Sequence, residues 1–278
     1  MNAKRHKTNA NSLTTHVPTS WDPVADWYDG WVGPHGSRYH RQVAIPALLP
    51  LLDLQPDQQI LDIGAGQGVL APYVAAAQAH YTGVDASRRL LRRAEAHHGR
   101  QQNVRFLRGD ARHLHTIGPL AAGSFDTAVF LLSIQDMDPL AEVLASATWA
   151  LKTNGRLLIL MTHPCFRIPR QSGWGYDANR KLRYRRVDRY LTPLPVPMKP
   201  YDGAQTGTTR SFHRPLQAYI NGLVTAGCLV EQIREIPMGA ALRESKNNRA
   251  EQLANAEIPL FLALRGVKMR KEGEPALS

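Results

Sequence analysis

Short apolar runs alternate with helix-like segments between Gln59 and Met161. The apolar runs have the length of strands, and the stretches between them have the composition and spacing of helices. The predicted strands are residues 59–63, 81–84, 104–107, 125–131 and 156–161, and the predicted helices are residues 69–78, 88–98 and 139–151. Strands that alternate with helices predict a parallel sheet covered on both faces.

The alternation stops after His163 for about fifty residues. This stretch is rich in Pro, Gly, Arg and Tyr, and it is long for a simple loop, so we expect a functional cap. Residues 215–226 then have the pattern of a helix, with Pro in the first turn and Gly227 after its end. Two closing strands are predicted at residues 229–236 and 258–267.

These patterns predict one core with an insertion. A polar start without helical or strand periodicity predicts a disordered arm, and the residues after it are unusually aromatic. The predicted parts are a disordered arm (1–20), an aromatic cover with the cofactor-binding core (21–162), a cap (163–212), the closing helix and strands (213–267) and a flexible tail (268–278).

Composition excludes several protein classes. The 278 residues are 43% hydrophobic with only two cysteines, which excludes collagen-like and disulfide-framed chains. The longest apolar runs are far shorter than the roughly 18 to 20 residues of a membrane span. With no apolar signal segment at the start, the sequence predicts a cytoplasmic protein without membrane contact.

The positive charge is unevenly distributed. The chain has 34 Lys and Arg against 23 Asp and Glu, a formal charge of +11. Residues 167–214 alone contain eleven Lys or Arg and three Asp. Such a segment fits an anionic partner, but solvated surface arginines explain it equally well.

A glycine-rich loop follows the first predicted strand. In Asp62-Ile63-Gly64-Ala65-Gly66-Gln67-Gly68 the glycines allow a tight turn and the close approach of a ligand to the backbone. The GxGxG spacing differs from the GxGxxG of dinucleotide enzymes, which makes hydride transfer less favoured. Asp85 and Asp110 end the next two strands, where carboxylates can accept hydrogen bonds from ribose hydroxyls and an adenine amino group.

The chain resembles the class I S-adenosylmethionine-dependent methyltransferases. The resemblance rests on the glycine loop, on Gly83-Val84-Asp85-Ala86-Ser87, on Gly109-Asp110-Ala111 and on Phe125-Asp126-Thr127-Ala128-Val129. Residues 151–157 are similar to the family's L-K-P-G-G-R-L turn, with Thr153 and Asn154 replacing Pro and Gly. It implies a Rossmann-like α/β fold with a seven-stranded, mostly parallel sheet, an antiparallel final pair and a cap after the fifth strand.

The resemblance also implies a site for S-adenosylmethionine, with S-adenosylhomocysteine as the product. Its residues would come from the strand ends and the aromatic cover: Asp62, Gly64, Ala65, Gly66, Gly68, Asp85, Ala86, Asp110, Ala111, Leu131, Gln135, Tyr28 and Tyr39. No Cys and His spacing indicates zinc, so no metal is expected.

Methyl transfer depends mainly on positioning, and a base is needed only when the acceptor carries a proton. His163, after the fifth strand, and His213, at the end of the cap, are the candidate bases, although both can be structural. The candidate acceptor contacts are Trp27, Trp174, Tyr176, Tyr190 and Arg214.

The acceptor class stays open. We predict transfer to an oxygen or nitrogen of a small molecule, aromatic or anionic. The first alternative is methylation of rRNA or tRNA, since aromatic and arginine side chains also bind RNA. The second is a cofactor-binding protein without turnover. Pro164-Cys165 is similar to the nucleophile motif of cytosine C5-methyltransferases, but their second local signature is absent, and we predict a buried, non-reactive Cys165.

Overall fold

The computed structural model describes residues 19–198, 209–239 and 249–270. The strands are β1 (Gln59–Ile63), β2 (His80–Asp85), β3 (Val104–Arg108), β4 (Phe125–Leu131), β5 (Leu151–Thr162), β6 (Ser172–Asp177), β7 (Leu182–Val187), β8 (Leu194–Pro197), β9 (Arg210–His213), β10 (Cys228–Ile236) and β11 (Phe261–Lys268). Seven of them form one sheet in the order β10-β11-β5-β4-β1-β2-β3. Strands β1 to β5 are parallel, and β11 is antiparallel to both of its neighbours. The predicted seven-stranded α/β fold is confirmed.

Helices cover both faces of this sheet. They are α1 (Ala25–Val32), α2 (Ile45–Leu52), α3 (Ala71–Ala76), α4 (Arg88–His98), α5 (Leu140–Ala150), α6 (Leu216–Thr225) and α7 (Arg249–Glu257). Local signals explain their ends: the Ser87 hydroxyl accepts a hydrogen bond from the N–H of Leu90 at the start of α4, and Gly227 adopts a φ of +86° just after α6. Among the described residues, no helix is long and apolar enough to cross a membrane.

The core has one apolar layer on each face of the sheet. Phe130 and Leu144 belong to the layer beneath α5 and α6, and Leu48 and Val74 belong to the layer beneath α2 and α3. All four are fully buried, and each large apolar side chain contributes about 1.5 to 3 kcal/mol on burial. Because β1 to β4 are parallel and anchored in this way, their carboxyl ends meet at one edge of the sheet.

The described part of the predicted cap contains two small sheets. Strands β6 and β7 form an antiparallel hairpin, and β8 pairs antiparallel with β9. Strand β9 includes His213, so the second sheet extends past the predicted end of the cap at residue 212.

Other predicted boundaries also need correction. Thr19 and Ser20 are not part of a free arm: the Thr209 hydroxyl donates to the Ser20 carbonyl (2.6 Å), and the Arg210 N–H donates to the Thr19 hydroxyl (3.0 Å). Strand β5 begins at Leu151, and Lys268, assigned to the tail, ends β11. Helix α7 was not predicted. Residues 1–18 and 271–278, the rest of the expected arm and tail, lie outside the described residues.

Candidate functional site

A cavity of about 940 Å³ lies at the carboxyl ends of β1 to β4. The core strands and their loops form one end, the segment from Thr19 to His40 forms a wall, and residues of the cap and β11 close the other end. The lining residues on the sheet side include Gly64, Gly66, Asp85, Ala86, Asp110, Ala111, Leu131, Gln135 and Asp136. Those on the opposite side include Trp31, Tyr39, His40, Arg167, Arg170, Val196, Met198, Leu260 and Phe261.

The glycine loop is tightly packed at Gly64 and borders open space at Gly66. The N–H groups of Gly64 and Ala65 both donate to the Val84 carbonyl, at 2.8 and 3.0 Å. At Gly64 a Cβ atom would lie 2.6 Å from the Ser133 and Met137 side chains, so only glycine fits. At Gly66, where φ is +55°, the nearest atom to such a Cβ belongs to Tyr28, at 3.8 Å. The space beside Gly66 therefore belongs to the cavity and admits a ligand against the backbone.

Asp85 is held in a fixed orientation at the end of β2. One carboxylate oxygen accepts from the Gly66 N–H and the other from the Ser87 N–H, both at 2.8 Å. Burial raises the pKa of Asp85 despite these two hydrogen bonds. Each carboxylate oxygen can accept a second hydrogen bond, so the group can still receive two ligand hydroxyls from the cavity.

Asp110 follows β3 and is paired with Arg112. The Arg112 guanidinium contacts the carboxylate at 2.5 Å, and the Arg112 N–H donates to it at 2.9 Å. Burial raises the pKa of Asp110, but the hydrogen bonds and charge of Arg112 outweigh burial and lower it. The carboxylate is thus ionised at neutral pH, and like Asp85 it retains acceptor capacity.

The aromatic segment from Trp21 to Trp31 is attached to α4 by charge. Asp26 pairs with Arg89 and Arg93, and Arg93 also pairs with Asp29. These contacts place Trp21, Tyr28 and Trp31 on the cavity. Trp27, a predicted acceptor contact, stacks on Trp31 at 6.0 Å and does not line the cavity.

Sequence and structure comparisons agree with this geometry. Residues 61–159 match the family model described as a methyltransferase domain. Over 121 residues the chain is 31% identical to the demethylmenaquinone methyltransferase of Tropheryma whipplei, which covers 42% of this chain and 48% of that protein. The chain therefore spans about half the length of the curated relatives it matches.

Two solved structures extend the similarity across the fold. An S-adenosylmethionine-dependent methyltransferase from Mesorhizobium loti has a TM-score of 0.65 and 27% identity, covering 80% of this chain and 96% of that one. A putative methyltransferase of the same type from Listeria monocytogenes has a TM-score of 0.65 and 20% identity, with coverage of 82% and 97%, which shows the fold alone.

Residues 61–159 form a methyltransferase domain, and the fold around them is that of the class I S-adenosylmethionine-dependent methyltransferases. The cavity fits the cofactor of that family. The backbone at Gly66 leaves room for a ligand, and Asp85 is oriented toward the cavity edge. In addition, the pKa of the Tyr28 hydroxyl is raised by burial and then by Asp136, Asp85 and Asp62. Three carboxyl groups therefore lie near one ring that lines the cavity.

Three predicted cofactor residues of the methyltransferase lie behind the cavity wall. Asp62 is buried and accepts a hydrogen bond from the Tyr81 hydroxyl at 2.7 Å. Burial raises the pKa of Asp62 to about 7, and its second oxygen has no partner among the described residues. Ala65 does not line the cavity, and Gly68 lies against the Phe106 ring. These three residues support the glycine loop from behind, and none of them lines the cavity where a cofactor would bind.

Neither predicted histidine lines the cavity. Nδ1 of His163 accepts from the Cys165 N–H at 3.2 Å, so Nε2 carries the proton and donates to Glu235 at 2.9 Å. Nε2 of His213 lies 2.6 Å from the Tyr190 carbonyl and must donate to it. Burial lowers the pKa of both rings. Both histidines form hydrogen bonds between separate segments of the fold and lie off the cavity, so we do not assign either of them as a base.

The other predicted acceptor residues also lie off the cavity. Trp174 and Tyr176 line a separate hollow beside α7. The Tyr190 hydroxyl accepts from the Leu216 N–H at 2.9 Å and is 3.4 Å from Sγ of Cys165, so Cys165 is a half-buried hydrogen-bonding residue and not a fully buried one. Arg214 donates to the Met137 carbonyl (2.6 Å) and to Asp138 (2.8 Å), which holds the loop after β4.

The polar residues that reach the cavity and were missed from the sequence include His40, Asp136, Arg167 and Arg170. Burial raises the pKa of Asp136 to about 8, and contacts with Ser211 and Arg214 only partly oppose it. Burial lowers the pKa of His40 to about 4, and its Nδ1 lies 2.8 Å from the Ser37 hydroxyl. Asp136 follows Gln135, which the resemblance had already placed in the cofactor site, and that position was the available signal.

Proposed function

We propose that this methyltransferase transfers a methyl group from S-adenosylmethionine to an oxygen or nitrogen of a small-molecule acceptor held in the cavity. One observation carries the proposal: a single cavity joins the strand-end carboxylates and glycine loop to an opposite end lined by aromatic, apolar and arginine side chains. Cofactor and acceptor would share this space, which is the arrangement that direct transfer requires.

The strand ends would bind the cofactor. Asp85 would accept the ribose hydroxyls, because its carboxylate is already oriented by the Gly66 and Ser87 N–H groups. Asp110 and Ala111 would lie beside the adenine. Tyr28 would cover the methionine part, since its ring lies opposite Gly66.

The chemistry needs an aligned acceptor and, for a protonated one, a base. When bound, the cofactor supplies a methyl group on a cationic sulfur that departs as a neutral thioether. We assign the base to Asp136, which lines the cavity and has a pKa near working pH. The acceptor oxygen or nitrogen would form its bond to the methyl carbon while its proton passes to the Asp136 carboxylate.

His40 is another cavity-lining group that could take a proton. Its pKa of about 4 makes the imidazole a weak base, whereas the pKa of Asp136 is about 8. The ionised form of Asp136 therefore holds a proton more strongly, and we assign His40 to shaping the wall.

RNA methylation remains the second candidate because of the hairpin surface. Tyr176 is 57% exposed and Tyr184 is 48% exposed, with Arg180 and Lys181 in the turn that joins β6 to β7. Exposed aromatic rings beside cations suit nucleic acid bases and phosphates. This surface is separate from the cavity lining, so it supports docking more than chemistry.

The test is a turnover assay on the full chain. Purified protein is incubated with S-adenosylmethionine and either a panel of small phenols, amines and aromatic acids or purified rRNA and tRNA, and S-adenosylhomocysteine is quantified. Release with a small acceptor at any salt concentration supports the proposal. Release with RNA alone, falling steeply with salt, favours the second candidate. Calorimetric binding of S-adenosylhomocysteine without turnover on either panel favours a non-catalytic protein.

A further inference from the structure

The far end of the cavity contains a half-buried arginine with an unused hydrogen-bond donor. Arg167 follows β5 and lines the cavity, and its Nε donates to the Pro259 carbonyl at 3.2 Å. Nη2 of Arg167 is buried and has no partner among the described residues. Because an unpaired buried donor is costly and the same side chain lines the cavity, an anionic ligand at this end would offset part of that cost by accepting from the guanidinium.

The positive charge of Arg167 is reinforced by its neighbours. Three guanidinium groups surround the Trp174 ring, with Arg167 at 5.1 Å, Arg183 at 4.7 Å and Arg185 at 5.2 Å from its centroid. Arg183 pairs with Glu251, whereas Arg185 donates to the Phe166 carbonyl and the Ser172 hydroxyl. In the described part of the chain, the ion pairs do not include Arg167 or Arg185. The cluster therefore has an excess of positive charge where it reaches the cavity.

Burial also acts on this cluster. Burial first, and then the charge of Arg185, lower the pKa of Arg167 to about 10. Arg167 nevertheless remains protonated at neutral pH, and its positive charge is partly shielded from water. A charge in such a setting attracts an opposite charge more strongly than one in water does.

The surfaces around Arg167 are apolar. Pro169, Val196, Met198, Leu260 and Phe261 line the same end of the cavity. Arg170, whose Nη2 donates to the Pro197 carbonyl at 3.2 Å, is a second cation at this end. An apolar body with a single charged end fits these surroundings, because the body would contact the wall and the end would meet the guanidinium.

We propose that the acceptor is an amphiphilic anion, with a carboxylate or phosphate group bound by Arg167 and an apolar body against the wall formed by Val196, Met198 and Phe261. This inference rests on the proposed function, since it names the acceptor class of the same cavity. The acceptor's anionic end would lie at the cap and its reacting atom toward Asp136 and the cofactor. In such a site Arg167 sets substrate specificity and does not take part in the chemistry.

Binding of simple probes to the full chain, saturated with S-adenosylhomocysteine, tests the proposal. The probes are benzoate, phenyl phosphate, neutral benzamide and inorganic phosphate, each measured by calorimetry. We expect one of the two aryl anions to bind at least tenfold more tightly than both benzamide and inorganic phosphate. Benzoate and phenyl phosphate distinguish a carboxylate acceptor from a phosphate one. The proposal is overturned if benzamide binds as tightly as both aryl anions. It is also overturned if inorganic phosphate binds as tightly as both aryl anions.

Matched variants test the assignment to Arg167. Arg167→Gln should weaken the preferred aryl anion at least tenfold and leave S-adenosylhomocysteine affinity within twofold. Arg186→Gln, on β7 and paired with Asp188 away from the cavity, should change neither. Arg167→Lys keeps the charge but loses the planar guanidinium, so its affinity for the aryl anion should fall between those of the wild type and Arg167→Gln. If Arg167→Gln does not fold, Arg167→Lys tests the assignment. Unchanged aryl-anion affinity in both Arg167 variants overturns the assignment.

Two outcomes separate this inference from the proposed function. Absence of S-adenosylhomocysteine binding in the wild type would contradict the proposed function itself. Normal binding of S-adenosylhomocysteine without any preference for aryl anions would contradict only the acceptor class. Displacement of a bound aryl anion by a short oligoribonucleotide, steeply weakened by salt, would overturn the small acceptor in favour of RNA.

Discussion

The two ends of the cavity are built differently. At the cofactor end, the strand-end side where we propose that S-adenosylmethionine binds, Asp85 and Asp110 are held by hydrogen bonds from residues two positions away or from the adjacent glycine loop. At the acceptor end, the wall combines residues from the N-terminal segment, the cap and β11, and Nη2 of Arg167 has no partner in the described structure. The carboxylates at one end are already oriented by local hydrogen bonds, whereas the guanidinium at the other end has a donor without a partner in the described structure.

This difference indicates where selectivity lies. A pre-organised cofactor end binds the same ligand in every cycle and loses little conformational entropy on doing so. An acceptor end assembled from distant segments can vary in shape without disturbing the strand ends. Substitutions at the two ends should therefore have separable effects, on cofactor affinity at one end and on turnover or acceptor affinity at the other.

The largest expected effect separates chemistry from cofactor binding. Asp136→Asn keeps the shape of the side chain but removes the base, so kcat should fall by about 10² to 10⁴ with S-adenosylmethionine affinity within a few-fold. Steady-state kinetics and calorimetry measure the two quantities. A variant with wild-type kcat would show that the acceptor loses its proton elsewhere or carries none.

The pH profile gives a second readout for the same residue. The base must be ionised, and burial raises the pKa of Asp136 to about 8, so wild-type kcat should rise with pH up to that value. The stability that this carboxyl contributes is fully present below the ordinary pKa of 3.8 and is lost as pH rises through about 8. Asp136→Asn should flatten both the kcat profile and this part of the dependence of Tm on pH.

The glycine loop provides the next largest effect. Gly66→Val would place a branched side chain in the cavity, where only Tyr28 lies within 4 Å of the added Cβ, and S-adenosylmethionine should bind at least about a hundredfold more weakly. Thermal shift with and without cofactor measures this loss.

Gly227→Val is the matched control for the glycine loop. Gly227 has a φ of +86° and open space around it, so valine brings similar backbone strain of about 1 to 3 kcal/mol without touching the cavity. Full cofactor stabilisation of the Gly66 variant would show that the ligand does not approach this loop.

Asp85→Ala should have a smaller effect on the same equilibrium. Charge-assisted hydrogen bonds contribute roughly 1.5 to 3 kcal/mol each, so loss of the carboxylate should weaken the cofactor about tenfold or more. Asp85→Asn keeps one acceptor oxygen and should fall between the wild type and Asp85→Ala. Calorimetry on both variants tests the order, and equal affinity in all three proteins would remove Asp85 from the ribose contact.

The same difference between the two ends of the cavity explains which residues could be predicted from the sequence. Gly64, Asp85 and Asp110 lie next to strands whose periodicity is visible, so local pattern was enough to place them at one edge of the sheet. Arg167 was visible only as one of many arginines, because its position depends on how a folded cap lies over distant strands. The histidines were misleading, since a strand-end position does not reveal that Glu235 or the Tyr190 carbonyl occupies the ring nitrogens.

The smallest expected effect concerns the aromatic cover, which belongs to both ends. Arg93→Ala removes the contacts to Asp26 and Asp29 that hold α1 on α4, and α1 carries Tyr28. Because exposed ion pairs contribute about 0.2 to 1 kcal/mol each, cofactor affinity should fall only about two- to fivefold.

Arg92→Ala, exposed on the same helix, is the control and should bind the cofactor as the wild type does. High salt should weaken the wild type toward the variant, since it screens the same pairs. If both proteins respond equally to salt, the cover is held by its apolar contacts, and Tyr28 belongs to the pre-organised end of the cavity.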